Sequence, residues 1–124
     1  MHYLPRGKEG NEMQNYMTKD MYHLIMKLVI LGAIKRREMY PYELINRVAM
    51  HVPKYKSDKS EIKNDVYNTL AVLERIGYIR LEKKLVEGRV KNFYTITKKG
   101  NESLLASKRI LAEAMVNVTR QLKG

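Results

Sequence analysis

The sequence predicts a mostly α-helical fold with one small β-hairpin, and the prediction depends on the segment from Lys59 to Thr97. Apolar residues there first recur at spacings of four and three, which places them on one helical face: Ile62, Val66, Leu70, Leu73 and Ile76. The period then changes to the alternation of a half-buried strand at residues 79–82. A second strand-like segment, residues 90–97, is rich in aromatic and β-branched residues. A helix followed directly by a hairpin with a basic tip predicts a winged helix-turn-helix.

The boundaries of this helix and hairpin follow from capping and turn residues. Ser60 is the predicted N-cap, because its hydroxyl can accept a hydrogen bond from a free amide of the first turn. Gly77 is expected to end the helix, since glycine adopts the left-handed backbone that helix ends need. The recognition helix is therefore placed at 61–76. The wing is placed at 83–92, a polar and basic segment in which Gly88 turns the chain.

The charge distribution points to a polyanionic partner. The 124 residues, enough for one domain, include 24 Lys and Arg against 13 Asp and Glu, a net charge of +11. Residues 54–99 hold 12 of the basic and 6 of the acidic residues, so more than half of the excess lies in the helix-and-wing segment. A basic excess on such an element favours binding to nucleic acid.

Enzymatic chemistry finds little support in the residue pattern. His2, His23 and His51 are scattered, no Gly-rich phosphate loop occurs, and there is no cysteine. We therefore predict no catalytic residues, no metal and no cofactor. The longest nearly apolar run, 24–34, is too short to span a bilayer, and no secretory signal pattern opens the chain. A cytoplasmic, nucleoid-associated protein is expected.

The sequence predicts a boundary after residue 17, between an N-terminal arm and a folded domain. Residues 1–17 are predicted to be a flexible arm, since they hold Pro5 and two glycines among polar residues. A winged-helix DNA-binding domain is then predicted at 18–97. Its first helix, Lys19 to Lys35, is apolar over a wide arc and is expected to be buried on two sides. The second helix is placed at Tyr42 to Met50, with Pro41 in its first turn.

Residues 98–124 are predicted to form a C-terminal dimerisation helix. No later segment is present to cover its apolar stripe, which argues for a second copy of the protein, although the helix could also fold back on its own domain. The first helix offers a complementary apolar surface. The residues predicted to form the dimer contact are Ile25, Val29, Leu104, Leu111, Met115, Val118 and Leu122.

With these elements placed, the chain resembles the PadR family of winged-helix transcriptional regulators over about residues 20–122. The resemblance is carried by LVILGAI (28–34), MYPYELINRV (39–48), VYNTLAVLERIGYI (66–79) and GRVKNFYTITKKG (88–100). Asn68 departs from the pattern, because many members carry proline there. The resemblance implies the short form with a single C-terminal helix. It also implies a homodimer whose C-terminal helices pack on the partner's first helix, and repression that small ligands relieve in some members.

DNA contacts are predicted from the recognition helix, its N-terminus and the wing. Asn can pair with adenine edges and Lys with guanine or phosphate in the major groove, while a wing meets phosphates or the minor groove. The sequence does not decide whether Tyr67 contacts a phosphate through its hydroxyl or packs in the core. The predicted DNA-binding residues are Lys59, Ser60, Lys63, Asn64, Tyr67, Asn68, Lys83, Lys84, Arg89, Lys91 and Asn92.

The sequence as a whole predicts a sequence-specific regulator that binds double-stranded DNA as a homodimeric repressor and reads an inverted repeat. Two other functions remain open at this stage: an architectural, chromatin-like protein with little sequence preference, and an interaction module whose winged helix contacts protein. The dimer interface could hold a pocket for a small-molecule effector, lined by some of the eight methionines.

Overall fold

A computed structural model of the protein describes residues 8–52 and 59–123, and their side chains from residues 19 and 61 onward. The elements in chain order are α1 (Lys8–Arg36), α2 (Pro41–His51), α3 (Lys59–Arg75), β1 (Ile79–Val86), β2 (Arg89–Ile96) and α4 (Lys98–Leu122). The two strands form one antiparallel sheet. The predicted fold class is confirmed: three helices, a hairpin and a long C-terminal helix.

The first helix begins earlier than the sequence analysis predicted. α1 starts at Lys8, so residues 8–17, which were assigned to a flexible arm, are helical. Residues 1–7 of that predicted arm lie outside the described residues. Lengthening an existing helix avoids the unfavourable nucleation step, and one interior glycine such as Gly10 costs only about 1 kcal/mol relative to alanine. Gly10 alone therefore does not prevent residues 8–17 from continuing α1 toward the N-terminus.

The core lies between α1, α2, α3 and the base of the hairpin. Its fully buried side chains are supplied by all three helices and by the segment between α1 and α2: Met26, Ile30, Met39, Leu44, Val48, Val66, Leu70 and Leu73. Met39 also pairs with Tyr94 of β2, donating an N–H bond of 3.2 Å and accepting one of 2.9 Å. The core thereby fixes the positions of both α3 and the hairpin.

The connection between α1 and α2 is stabilised by the carboxylate of Glu43. Glu43, in the first turn of α2, accepts a hydrogen bond of 3.1 Å from the Tyr40 backbone N–H and pairs with the Arg37 guanidinium. The hydrogen bond from Arg37 lowers the pKa of the Glu43 carboxyl below its usual value. Arg37, which directly follows α1, is therefore engaged within the protein.

The hairpin is longer and more regular than predicted. Its strands pair from Ile79 opposite Ile96 to Val86 opposite Arg89, so nearly all of the segment 83–92 is paired strand. Only Glu87 and Gly88 form the turn, with φ of 51° and 77°. Two positive φ values in a two-residue loop are the requirement of a type I′ turn, which matches the twist of the strands. Antiparallel strands tolerate polar residues on faces that meet water, so polarity alone did not mark a loop.

The end of α3, the hairpin and the start of α4 meet in one hydrogen-bonded junction. Gly77 has φ of 84° and stops the helix as predicted, but the last helical residue is Arg75 rather than Ile76. Ile76, predicted on the buried face, is exposed, because the chain has already left the helix there. The Thr97 hydroxyl donates to the Gly77 carbonyl at 2.6 Å and accepts from the Gly100 N–H at 3.1 Å, which caps α4. A Cβ at Gly100 would lie 2.0 Å from the Tyr78 carbonyl oxygen, so only glycine fits there. The junction holds α4 at a set position relative to α3.

α4 leaves the domain after its first turns. Leu104 is half-buried against the core, whereas every described residue from Lys108 onward is exposed. With 25 residues, the helix is about 37 Å long. In the described ranges, no helix combines the length and the apolar character needed to cross a membrane.

Candidate nucleic-acid interface

The outer face of α3 carries the polar side chains that the sequence analysis singled out. Lys63, Asn64 and Asn68 are all exposed, while the opposite face, formed by Val66, Leu70 and Leu73, is buried. The buried stripe prevents the helix from rotating about its axis. The exposed amides and the lysine are therefore presented together, with no described element in front of them.

The N-terminus of α3 differs slightly from the prediction. The helix includes Lys59, so Ser60 lies within the first turn and the assignment of Ser60 as N-cap is wrong. The preceding residues, 53–58, and the side chains of Lys59 and Ser60 lie outside the described residues. The helix N-terminus itself carries the positive end of the helix dipole, which suits a phosphate.

Tyr67, whose location the sequence did not decide, lies on the surface. Its side chain keeps 43% of its exposure and shares the outer face of α3 with Asn64. It is therefore a surface residue rather than part of the core.

A polar contact between α1 and α3 was not predicted. The Tyr22 hydroxyl, on a buried side chain, donates to the Asp65 carboxylate at 3.0 Å. Burial, together with the hydrogen bond that the hydroxyl donates to that carboxylate, raises the pKa of Tyr22 far above its usual value of 10.0, so the donor stays protonated. Thr69 donates to the Asp65 backbone carbonyl at 2.8 Å. No local sequence signal pairs residues 43 positions apart, which is why sequence reasoning missed this contact.

The strand register sorts the predicted wing residues onto two faces. Residues that pair directly across an antiparallel sheet share a face, and successive residues alternate. Lys83 pairs with Asn92 on one face, and Lys84 pairs with Lys91 on the other. The first face continues that of Ile79 and Leu81, which packs toward the core.

The second face of the wing is attached to the α1–α2 connection. Lys84 forms a salt bridge with Glu38, and its ammonium lies 5.0 Å from the centre of the Phe93 ring. The Lys91 ammonium lies 5.4 Å from the centre of the Tyr40 ring. Because Tyr40 and Phe93 are themselves in contact, at 4.2 Å between centroids, these four side chains and Glu38 form one cluster, the wing clamp. Sequence reasoning treated both lysines only as DNA contacts and missed these partners.

The remaining predicted wing residues extend into solvent. Lys83, Arg89 and Asn92 are exposed, and Arg89 directly follows the turn as the first residue of β2. The structure thus brings the predicted wing and helix residues into one domain but divides the wing residues between two faces.

The predicted dimer residues divide into two groups. Ile25, Val29 and Leu104 are half-buried against the protein's own core. The second group is exposed along the outer part of α4: Leu111, Met115, Val118 and Leu122. Since every described residue from Lys108 onward is exposed, the outer part of α4 does not fold back on its own domain.

A cleft of about 490 Å³ separates α1 from α4. It is lined by leucines and basic residues, together with Gly32: Leu28, Leu104, Leu105, Leu111, Lys35, Arg36 and Lys108. Leucines rather than methionines line it. Two of the methionines, Met26 and Met39, are instead fully buried in the core.

Comparison with known proteins agrees with this architecture. A PadR-like transcriptional regulator from Bacillus cereus is 25% identical, with a TM-score of 0.71 over 85% of this chain and 98% of that one. A PadR family regulator from Eggerthella lenta shares the fold at 18% identity, with a TM-score of 0.69 over 90% and 94% of the two chains.

A third relative was determined with its ligand. PadR of Bacillus subtilis, in complex with operator DNA, shares the fold at 22% identity and a TM-score of 0.51, over 66% of this chain and 45% of that one. No curated protein sequence matches the chain. The model of the transcriptional regulator PadR-like family matches residues 30–106, well over half of the sequence, from the end of α1 to the first turns of α4. The chain therefore belongs to the PadR-like family of transcriptional regulators.

Proposed function

We propose that this protein is a homodimeric repressor that binds double-stranded DNA and reads an inverted repeat. The observation that carries the proposal is the outer face of α3. Three side chains with hydrogen-bonding capacity, Lys63, Asn64 and Asn68, stand exposed on a helix whose opposite face is locked in the core. A fixed helix of this kind can enter the major groove, where each base pair presents a distinct pattern of donors and acceptors.

Each side chain on α3 has a separate task in this proposal. Asn64 and Asn68 pair with base edges, since an amide can donate to and accept from an adenine at once. Lys63 contacts guanine or a neighbouring phosphate. Tyr67 donates its hydroxyl hydrogen to a phosphate, and the N-terminus of α3 binds another through the positive end of its helix dipole, with Lys59 and Ser60 beside it.

The wing supplies sequence-independent affinity. Lys83, Arg89 and Asn92 are exposed and reach phosphates or the minor groove, which orients the protein on the duplex. Lys84 and Lys91 add positive charge while their side chains hold the wing clamp.

The second copy of the chain covers the outer part of α4. Leu111, Met115, Val118 and Leu122 recur at helical spacing and are exposed in the single protomer. A twofold dimer that buries them presents two equivalent α3 helices, so the DNA site has the same symmetry. Half-site centres are then about 34 Å, one helical turn, apart. Such a protein works on the nucleoid, in the cytoplasm.

Selection from a pool of random duplexes, followed by footprinting at the enriched sequence, tests the proposal. We expect an inverted repeat, two protected major grooves and protein bound as a dimer. Replacement of Arg89 and Lys91 by alanine is expected to weaken binding to all sequences and to reduce the salt slope by about one unit per lost phosphate contact.

Two outcomes would contradict the proposal in different ways. A pool that enriches nothing, with steep salt dependence and uniform coating of DNA, identifies an architectural protein. Absence of DNA binding at moderate salt identifies a protein-interaction module instead.

A further inference from the structure

Two lysines face each other across the hairpin, but only one of them contacts a carboxylate within the described part of the chain. Lys84 of β1 pairs in register with Lys91 of β2, so both lie on the second face of the wing. The Lys84 ammonium donates to both carboxylate oxygens of Glu38. The Lys91 ammonium lies over the Tyr40 ring, which, unlike a carboxylate, does not neutralise its charge. Two residues of one type, at equivalent positions in the sheet, therefore present different charges to a ligand.

Glu38 belongs to a segment whose backbone is held on both sides. Its carbonyl accepts a hydrogen bond of 3.1 Å from the Arg37 guanidinium, and the next residue, Met39, exchanges two backbone hydrogen bonds with Tyr94 of β2. Arg37 is itself engaged with Glu43, so it has a carboxylate partner of its own. The Glu38 carboxylate is therefore held beside the wing by the fold, and its partner there is a lysine of the wing.

The pair of Lys84 and Glu38 is exposed, so it can be exchanged for another contact at small cost. The two side chains keep 43% and 37% of their exposure. An ion pair in that environment contributes little net stability, because water and salt screen it. A phosphate oxygen and a carboxylate oxygen are both strong acceptors for an ammonium, so DNA and Glu38 compete for the same donors. While the pair holds, a phosphate near the wing meets both charges, and their effects largely cancel.

We propose that Glu38 competes with the DNA backbone for Lys84 and in this way limits the affinity of the wing for DNA of any sequence. Glu38 is a positioning residue in this role, because it acts on DNA only through the lysine that it holds. The inference rests on the proposed function, in which both lysines add charge to the wing, and it assigns the phosphate contact on this face to Lys91. Since phosphate contacts supply nearly all of the affinity for random DNA, one withheld lysine per protomer lowers that affinity.

The test measures binding of the full chain to a random duplex and to the selected site, by fluorescence anisotropy across a salt series, with Glu38→Gln as the principal variant. Glutamine keeps the length of the side chain and can still accept a hydrogen bond from Lys84, so the wing keeps its place while the negative charge is removed. We expect binding to both duplexes to tighten about eightfold per protomer at about 0.1 M salt, because one added phosphate contact changes log K by about 0.9 for a tenfold change in salt. The salt slope should become steeper by about one unit per protomer.

The matched control is Glu82→Gln. Glu82 lies on β1 two residues before Lys84, on the same face of the sheet, where it pairs in register with Phe93. It is not the carboxylate that Lys84 contacts. Its replacement removes the same charge from the same face, but charges that make no direct contact with DNA are largely screened at this salt. We expect a small gain in affinity and an unchanged salt slope.

Removing each lysine in turn shows which of them produces the gain. Lys84→Met and Lys91→Met each remove one positive charge but keep an unbranched apolar chain beside the aromatic rings of the wing clamp. We expect Glu38→Gln to strengthen binding by the full amount in the Lys91→Met background and scarcely at all in the Lys84→Met background. A simple effect of net charge does not produce this difference, since Glu38→Gln changes the net charge equally in both backgrounds.

Every other outcome overturns the inference. If Glu38→Gln binds more weakly than the parent, or equally well with the same salt slope, Glu38 only supports the wing, and the proposed function stands. A gain of equal size in both lysine backgrounds reduces the effect to net charge. A gain confined to the selected site would make residue 38 part of sequence recognition, because a phosphate contact carries no sequence information. If the parent binds neither duplex, the proposed function and the inference fail together.

Discussion

The helices α3 and α4 both carry apolar residues at spacings of three and four, but their stripes have different environments. Val66, Leu70 and Leu73 of α3 are completely covered by the protomer, whereas Met115 and Leu122 of α4 are exposed. The difference arises because α3 lies between α1, α2 and the hairpin, while α4 projects past the end of the domain. An apolar stripe therefore shows that a helix needs a covering surface, and only its place in the fold shows whether that surface belongs to the same chain.

Removing a side chain from the covered stripe should have the largest effect on the protomer. Leu70→Ala leaves a cavity in the core and is expected to lower the free energy of unfolding by about 2–5 kcal/mol. Urea titrations at several protein concentrations measure it. Because the cavity lies inside one chain, we expect the same change in free energy at every concentration, and a change that varied with concentration would place Leu70 at an interface.

A change in the exposed stripe should act on association instead. Met115→Asp places a carboxylate without a partner in the proposed dimer contact, which is costly to bury, so we expect a monomer at micromolar concentration. Sedimentation equilibrium measures the mass. The control is Ile110→Asp, which adds the same charge to the same helix off the stripe and should remain a dimer. If both variants stay dimeric, or if the parent is a monomer, the outer part of α4 is not the contact.

Base-reading residues on the outer face of α3 should matter only when DNA is bound. Asn64→Ala or Asn68→Ala is expected to cost about 1–3 kcal/mol of binding on the preferred site and little on random DNA, because a bidentate base contact is lost without loss of charge. Fluorescence anisotropy on both duplexes measures it. Asn46→Ala, an exposed amide on α2, serves as the control. Equal losses on the two duplexes would favour the architectural function.

The contact between Tyr22 and Asp65 offers a smaller, pH-dependent effect. Tyr22→Phe should cost about 1 kcal/mol of stability at neutral pH, the usual net value of one hydrogen bond. Since the folded state raises the Tyr22 pKa, its protonated form stabilises the fold below pH 10.0, and this contribution is lost as the pH rises above that value. Unfolding titrations between neutral and strongly alkaline pH should show a steeper decline for the parent than for the variant. Identical declines would contradict this role.

The smallest effect is expected at Tyr67, on the outer face of α3. Tyr67→Phe removes one hydroxyl and should weaken binding by about 0.5–1 kcal/mol, equally on specific and random DNA, because a phosphate contact carries no sequence information. A loss confined to the preferred site would instead make Tyr67 a base reader. No change in binding would exclude the phosphate contact.

Much of this protein follows from local patterns in its sequence. The apolar stripe of α3, the positive backbone angle at Gly77, the turn at Gly88 and the length of α4 are all set within a few residues of chain. The family resemblance, carried by an ordered set of such motifs, is confirmed by the match over residues 30–106. The outward direction of Asn64 and Asn68 also follows from the sequence, because helical periodicity places them opposite the stripe.

Only the tertiary structure decided which charges are already engaged. From the sequence, Lys84 and Lys91 were interpreted as free basic residues. In the folded protein, Glu38 lies beside Lys84 and Tyr40 lies beside Lys91. The Tyr22–Asp65 contact, the requirement for glycine at position 100 and the two faces of the wing likewise depend on segments that meet across the fold. The physical reason is common to all of them. Helical and strand periods are local properties of the backbone, whereas the partner of a side chain depends on how distant elements pack.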